Sequence, residues 1–75
     1  MYRYIIYSAE GEPLKQCATV QLCADNVRPG NVSHDTAPDC AYPYVAWVHD
    51  PVGVLGVPFR TAAEAFARAR REVQS

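Results

Sequence analysis

The sequence predicts an α+β domain: a three- or four-stranded antiparallel sheet with one C-terminal helix packed on one face, a βββα-like order. Tyr44-Val45-Ala46-Trp47-Val48-His49-Asp50 reads as a buried strand. A Gly/Pro-rich connection follows, and Phe59-Arg60-Thr61-Ala62-Ala63-Glu64-Ala65 then opens a capped amphipathic helix. The aromatic and β-branched run Tyr2-Arg3-Tyr4-Ile5-Ile6-Tyr7 supplies a further strand. All of this fits one domain, residues 1–75, because so short a chain cannot build a second core.

Taken in order, Tyr2–Tyr7 is the first strand, and Ser8-Ala9-Glu10-Gly11-Glu12-Pro13 is turn chemistry in which Gly11 is free to take positive φ. Leu14–Cys23 reads as a second strand, closing a hairpin. Ala18, Val20 and Leu22 form its better core face, with Cys17, Thr19, Gln21 and Cys23 on the other. From Ala24 to Ala41 periodicity is lost, and the segment reads as a long loop carrying Arg28, His34 and Asp35. Tyr42–His49 is the third strand, Asp50-Pro51-Val52-Gly53 ends it, and Val54–Val57 is a short fourth before Pro58.

Thr61-Ala62-Ala63-Glu64 is a capping box in which the Thr61 hydroxyl takes the Glu64 amide and Glu64 reaches back to the Thr61 amide. Ala62, Phe66, Ala69 and Val73 recur at helical spacing and should face the sheet. Glu64, Arg68 and Glu72 form an i, i+4 ladder on the solvent side, and Arg70 and Arg71 suit the C-terminal dipole.

The 49% hydrophobic content belongs to a folded chain, and a net charge of −1 gives no field to draw it onto nucleic acid or an anionic membrane. The apolar runs are too short to cross a bilayer and no signal-peptide pattern opens the chain, so a cytoplasmic protein is expected. Three cysteines, an odd number, argue against a secreted disulfide scaffold. Asn31-Val32-Ser33 fits the glycosylation pattern, but chance is the better account in a cytoplasmic chain.

Cys17, Cys23, His34, Cys40 and His49 are zinc-ligand types, yet their wide spacings match no finger or ribbon. On one continuous strand Cys17 and Cys23 would lie roughly 20 Å apart, too far to share a metal or a disulfide. Cys40 with His34 in the long loop stays open as a pair; otherwise the cysteines read as small buried hydrophobes, and no metal or other cofactor is assigned. His34-Asp35 and His49-Asp50 offer acid–base groups, but His49 and Asp50, as strand neighbours, point to opposite faces, and no nucleophile, base and oxyanion set accompanies either pair. Gly11, Gly30, Gly53 and Gly56 are scattered and begin no phosphate-binding loop. Arg60, Arg68, Arg70 and Arg71 share their region with Glu64 and Glu72, short of the basic footprint of a nucleic-acid binder.

The aromatic residues point elsewhere. All five tyrosines and the single tryptophan fall on the first and third predicted strands, with Tyr2 and Tyr4 opposite Tyr7, and Tyr42 and Tyr44 opposite Trp47. Both sheet faces therefore carry large rings while one helix covers only one face. The bare face, displaying tyrosines with Cys17 and Cys23, would bind a protein or a second copy of the chain.

Tyr44–Asp50 through Gly53, then Thr61, Glu64 and Ala65, resembles the small HicB-like antitoxin domain, which has a YVAYVPDLPG-type strand and turn before a T-x-E-E-A helix start. The resemblance covers about thirty C-terminal residues and implies that Tyr44–Asp50 is the central strand, Gly53 the turn glycine and Thr61 the helix cap. It implies a protein that neutralises a small ribonuclease toxin by docking on it. His49 stands where the family has proline, and one extra residue precedes Thr61.

The expectation is thus a non-enzymatic module that inhibits a partner by steric blocking. The Ala/Arg/Val-heavy composition fits a GC-rich bacterium or its phage, and the favoured role is a phage-encoded inhibitor of a host defence complex, of the anti-CRISPR type. The antitoxin is the alternative, and a small metal- or ligand-binding domain the third. Tyr2, Tyr4, Tyr42, Tyr44, Arg28, His34 and Asp35 are the candidate partner-binding residues.

Overall fold

The structure, a computed structural model, describes residues 2–74. Seven elements follow one another: β1 (Tyr4–Tyr7), β2 (Pro13–Cys17), α1 (Val20–Asn26), β3 (Val32–Asp35), β4 (Tyr44–Asp50), β5 (Gly53–Phe59) and α2 (Ala62–Gln74). The strands form one antiparallel five-stranded sheet in the order β2-β1-β3-β4-β5. The α+β class and the C-terminal helix stand as expected from the sequence; the sheet gains a strand and a second, short helix appears.

The β1–β2 connection closes through Ser8, whose N–H donates to Glu12 C=O (2.9 Å) and whose hydroxyl accepts from Glu12 N–H (3.1 Å), while Gly11 takes φ 91°. The predicted second strand stops at Cys17. Thr19 is an N-cap, its hydroxyl accepting from Leu22 N–H at 3.2 Å, and the chain coils into α1. Gln21 Nε2 donates to Asp25 Oδ1 (3.0 Å) along the helix, and Asn26 Nδ2 to Leu22 C=O (2.7 Å). This reverses the predicted faces: Cys17, Cys23 and Val27 are buried, whereas Val20 and Leu22 are exposed.

The segment read as a loop from Ala24 to Ala41 contains the end of α1 and all of β3. Four residues with one aliphatic side chain carry little strand propensity of their own. Val32–Asp35 is held instead by hydrogen-bonded neighbours on both sides, β1 and β4. The strand predicted to begin at Tyr42 starts at Tyr44, and the last strand is longer than predicted and includes Pro58.

Two cores lie on opposite faces. On one, α2 seats Ala65 and Ala69 over Ala9, Val32 and Ala46, with Tyr44, Phe59 and Phe66 around them. Tyr7 meets Phe66 edge-on at 5.9 Å. On the other, Ile6, Cys17, Cys23 and Val27 are buried, with Tyr4, Trp47 and Val54 packed against them. Cys17 and Cys23, predicted to lie far apart on one strand, therefore belong to one cluster, because the chain turns back at Thr19; both are free thiols.

The α2 cap differs in detail from a capping box. Thr61 Oγ1 accepts from Glu64 N–H (3.3 Å), but the Glu64 carboxylate takes the Thr61 hydroxyl (2.8 Å). Glu72 is not on a solvent ladder. Its side chain is largely covered, and Oε1 accepts the His49 N–H at 2.7 Å, satisfying a backbone donor beyond the end of β3. Arg68 reaches the same carboxylate at 3.9 Å. Val73, predicted to face the sheet, is half exposed.

Gly30 and Gly11 have nearly the same positive φ, 94° and 91°, but a Cβ on Gly30 would meet Val73 Cγ1 whereas one on Gly11 would meet nothing. Gly11→Ala should cost about 1 kcal/mol for the backbone alone. Gly30→Ala should cost more, about 2 kcal/mol, as α2 shifts off β3. Urea unfolding midpoints of the two variants check the order; equal losses would mean that α2 does not press on Gly30.

Candidate functional site

The face opposite α2 is only half closed. The short helix α1 lies against β1 and β2, and beside it a groove of about 430 Å³ opens over β3, β4 and β5. The alternation of β4 builds its floor: Val45 and Trp47 point into it, while Ala46 and Val48 turn to the α2 core. Val20 and Cys23 of α1 form one wall and Pro58 of β5 the other. At its open end stand Tyr4, Asp35, Tyr42 and Pro43.

Trp47 is fixed in two ways. Its Cα partner across β4–β5 is Gly56, and a Cβ there would lie 3.1 Å from two indole ring carbons and 2.9 Å from Val45 Cγ1. The ring thus lies over a glycine that leaves it room. Its Nε1 donates to Ser33 Oγ at 3.0 Å, so the indole N–H is satisfied although the ring is largely covered. The Ser33 hydroxyl also meets the Cys23 thiol. Burial pushes that thiol above its ordinary pKa, the neighbouring Cys17 adding to the effect and the Ser33 contact opposing it.

The rim is charged and held. Arg3 grips Asp35 with two parallel bonds, Nε to Oδ1 at 2.8 Å and Nη2 to Oδ2 at 3.0 Å, and its guanidinium lies 5.4 Å from the Tyr4 ring centre. Ala37 N–H adds a bond to Asp35 Oδ1 at 3.0 Å. The Arg3 hydrogen bonds hold the Asp35 carboxyl below its usual range; burial opposes them, and Ala37, the Arg3 charge and the Cys40 thiol add to the lowering. Arg60 sits 5.1 Å from the Tyr42 ring centre and donates to Tyr42 Oη at 3.3 Å.

Of the candidate partner-binding residues, Tyr4, Tyr42 and Asp35 come together at this groove. Tyr44 and His34 lie on the other face, stacked at 4.4 Å with 9° between their planes, and Tyr44 packs on the α2 core. Tyr2 is exposed and lies apart, beside the outer surface of β2 and near Arg3 and Pro38. Arg28 follows α1, its backbone N–H on Asn31 Oδ1 (2.8 Å) and its guanidinium on Val27 C=O (3.2 Å). His34 and Cys40 do not pair: His34 stacks on Tyr44, while the Cys40 thiol bonds Asp35, whose side chain is on the groove face. Among the described residues no three His, Cys, Asp or Glu side chains gather at one point.

Trp47, Val45, Val20 and Pro58 were not among the candidates. The parity of β4, with Val45 and Trp47 opposite Ala46 and Val48, was the signal available for the first two. Val20 and Pro58 needed α1 and the full length of β5.

The fold and groove define a small α+β domain with an apolar cleft on its sheet. Comparison with protein-family models, curated proteins and solved structures finds no match to this chain. Among the described residues no helix is long and apolar enough to cross a membrane.

Because its folded pKa is depressed, Asp35 should contribute stability above the unfolded carboxylate value of about 3.9 and lose it as pH falls through the folded value. Arg3→Ala should move the Asp35 titration, followed by carboxyl-carbon NMR, back up toward the ordinary range. An unmoved midpoint would remove Arg3 as the cause.

Gly56→Ala should displace the indole, and the fluorescence of this single tryptophan reports it directly. A red-shifted emission and a loss of about 1–3 kcal/mol are expected. An unchanged spectrum would mean that the ring does not rest on Gly56.

Proposed function

We propose that this chain is a non-enzymatic protein-binding module that blocks a partner by occupying its surface, with the groove beside α1 as the docking site. The observation that carries the reading is the composition of the groove. A tryptophan and a valine lie on its floor, two tyrosines stand at its mouth, and Asp35 is already neutralised by Arg3. Such a surface gains little from small charged ligands and much from an inserted apolar or aromatic side chain, with tyrosine hydroxyls tolerating water at the rim. Tyr42 and Pro43, just ahead of β4, extend the surface past the cleft.

Within this class the favoured role is a phage-encoded inhibitor of a bacterial defence complex, of the anti-CRISPR type. A net charge of −1 is too small for mimicry of DNA, so blocking would be steric. The second reading is a HicB-like antitoxin. The specific observation in its favour is the local order of β4, a turn at Gly53 with φ 142°, β5, and a helix capped by Thr61.

Affinity capture of the tagged chain from bacterial lysate, read by mass spectrometry, tests the proposal when run beside three variants. Val20→Glu and Tyr42→Ala change exposed groove residues and should each weaken capture about tenfold or more while melting normally. Leu14→Ser, exposed on β2 away from the groove, should capture normally. A defence-complex subunit as the stoichiometric partner supports the first reading, and a small ribonuclease toxin the second. A partner retained by both groove variants would remove the groove as the docking site.

A further inference from the structure

We propose that the free edge of β5 is a self-pairing interface, on which a second copy of this chain lays its own β5 antiparallel about a two-fold axis at Gly56. This goes beyond the groove, which is a sheet face; the feature here is the row of backbone groups along the sheet's last strand.

The hydrogen-bond ladder shows which groups those are. Trp47 spends its backbone toward β3, its N–H on Asn31 C=O (2.9 Å) and its C=O on Gly30 N–H (2.7 Å). By alternation Ala46, Val48 and Asp50 face β5, and their partners Val57, Leu55 and Gly53 turn their own groups inward. Val54, Gly56 and Pro58 therefore present theirs outward. Pro58 is tolerated because the N–H it lacks belongs to the outer row. With Gly56 opposite Gly56 of the second copy, each Gly56 N–H meets the other's C=O. Val54 then stands opposite Pro58, so each Val54 N–H meets a Pro58 C=O.

Three features favour a second copy over a foreign strand. Gly56 is the midpoint of Gly53–Phe59, so this register overlaps the whole strand. Between Asp50 and Arg60 there is no charged residue, so the lysines or inward charges that usually protect an edge are missing and Pro58 alone interrupts its row of donors. The same register sets Arg60 opposite Val52, whose N–H is held by Asp50 Oδ2 at 3.3 Å, so a cation approaches an anion at both ends. Parallel pairing would bring Arg60 beside Arg60.

The half-exposed Leu55 then packs against Val57 of the second copy, both on the α2 face. The two α2 helices do not collide. Each lies chiefly over β4, and three strand spacings separate the two β4 strands by about 14 Å, beyond the 8–10 Å of packed helices.

Sedimentation equilibrium of the full chain over a dilution series, with amide hydrogen exchange of Val54 and Gly56, tests the proposal. The expected result is a species of twice 8.3 kDa that dissociates on dilution, with both amides protected in the dimer and exposed in the monomer. Arg60→Glu, at an exposed position, should weaken the dimer about tenfold without unfolding the chain. A mass of 8.3 kDa throughout with both amides exchanging freely would overturn it. So would a dimer that leaves them unprotected, or protection appearing only when a different protein is added.

Discussion

The close seating of α2 on the sheet is the constraint from which the rest follows. Ala65, Ala69, Ala46 and Val32 have no measurable exposure, and Gly30 comes against Val73. Alanine and glycine at the contact let the backbones approach closely, which leaves no room between helix and strands for a large side chain. The large rings on that face, Tyr7, Tyr44, Phe59 and Phe66, are displaced to the flanks. The Glu72 carboxylate on the His49 N–H fixes the far end of the helix at the point where β4 runs past β3. A hydrogen bond to a charged group contributes to stability, and this one ties the last turns of α2 to the edge of β4.

The opposite face must then accommodate Ile6 and Trp47 with only a seven-residue helix to cover them. A helix so short has little stability alone, and it is held by Cys23 and Val27 packing on Ile6 and Cys17. It lies chiefly against β1 and β2 and only touches β3 through Cys23 and Ser33. The groove is therefore the part of the sheet that α1 is too short to close, and its apolar floor is the face of β4 that α2 does not use.

The legible parts of the sequence were those whose stability is local. Thr61 and Glu64 announce the start of α2 without any tertiary information, and the run Tyr44–Asp50 is apolar enough to be a strand anywhere. What stayed hidden depends on neighbours. Val20 and Leu22 alternate with polar residues as a strand face would, yet Thr19 caps a helix there and they end up exposed. The error carried over to the cysteines, since Cys17 and Cys23 are far apart on a strand and adjacent only when the chain turns. Val32–Asp35 is a strand by virtue of its place between β1 and β4. The candidate site inherited these limits: Tyr4 and Tyr42 reach the groove, but Tyr44 belongs to the α2 core because residue parity along β4 assigns it there.

Gly56 links the groove to the edge. With no side chain it gives the Trp47 indole somewhere to lie, so the ring reaches across to β5 and gives the groove a solid floor. The same lack of a side chain leaves the centre of an edge strand open to close approach by another backbone. Val54 and Pro58 on either side are small or rigid, and the nearest charges lie at Asp50 and Arg60. A side chain at this position would lift the indole from its seat, so the floor of the groove depends on the same glycine that stands at the centre of the edge strand.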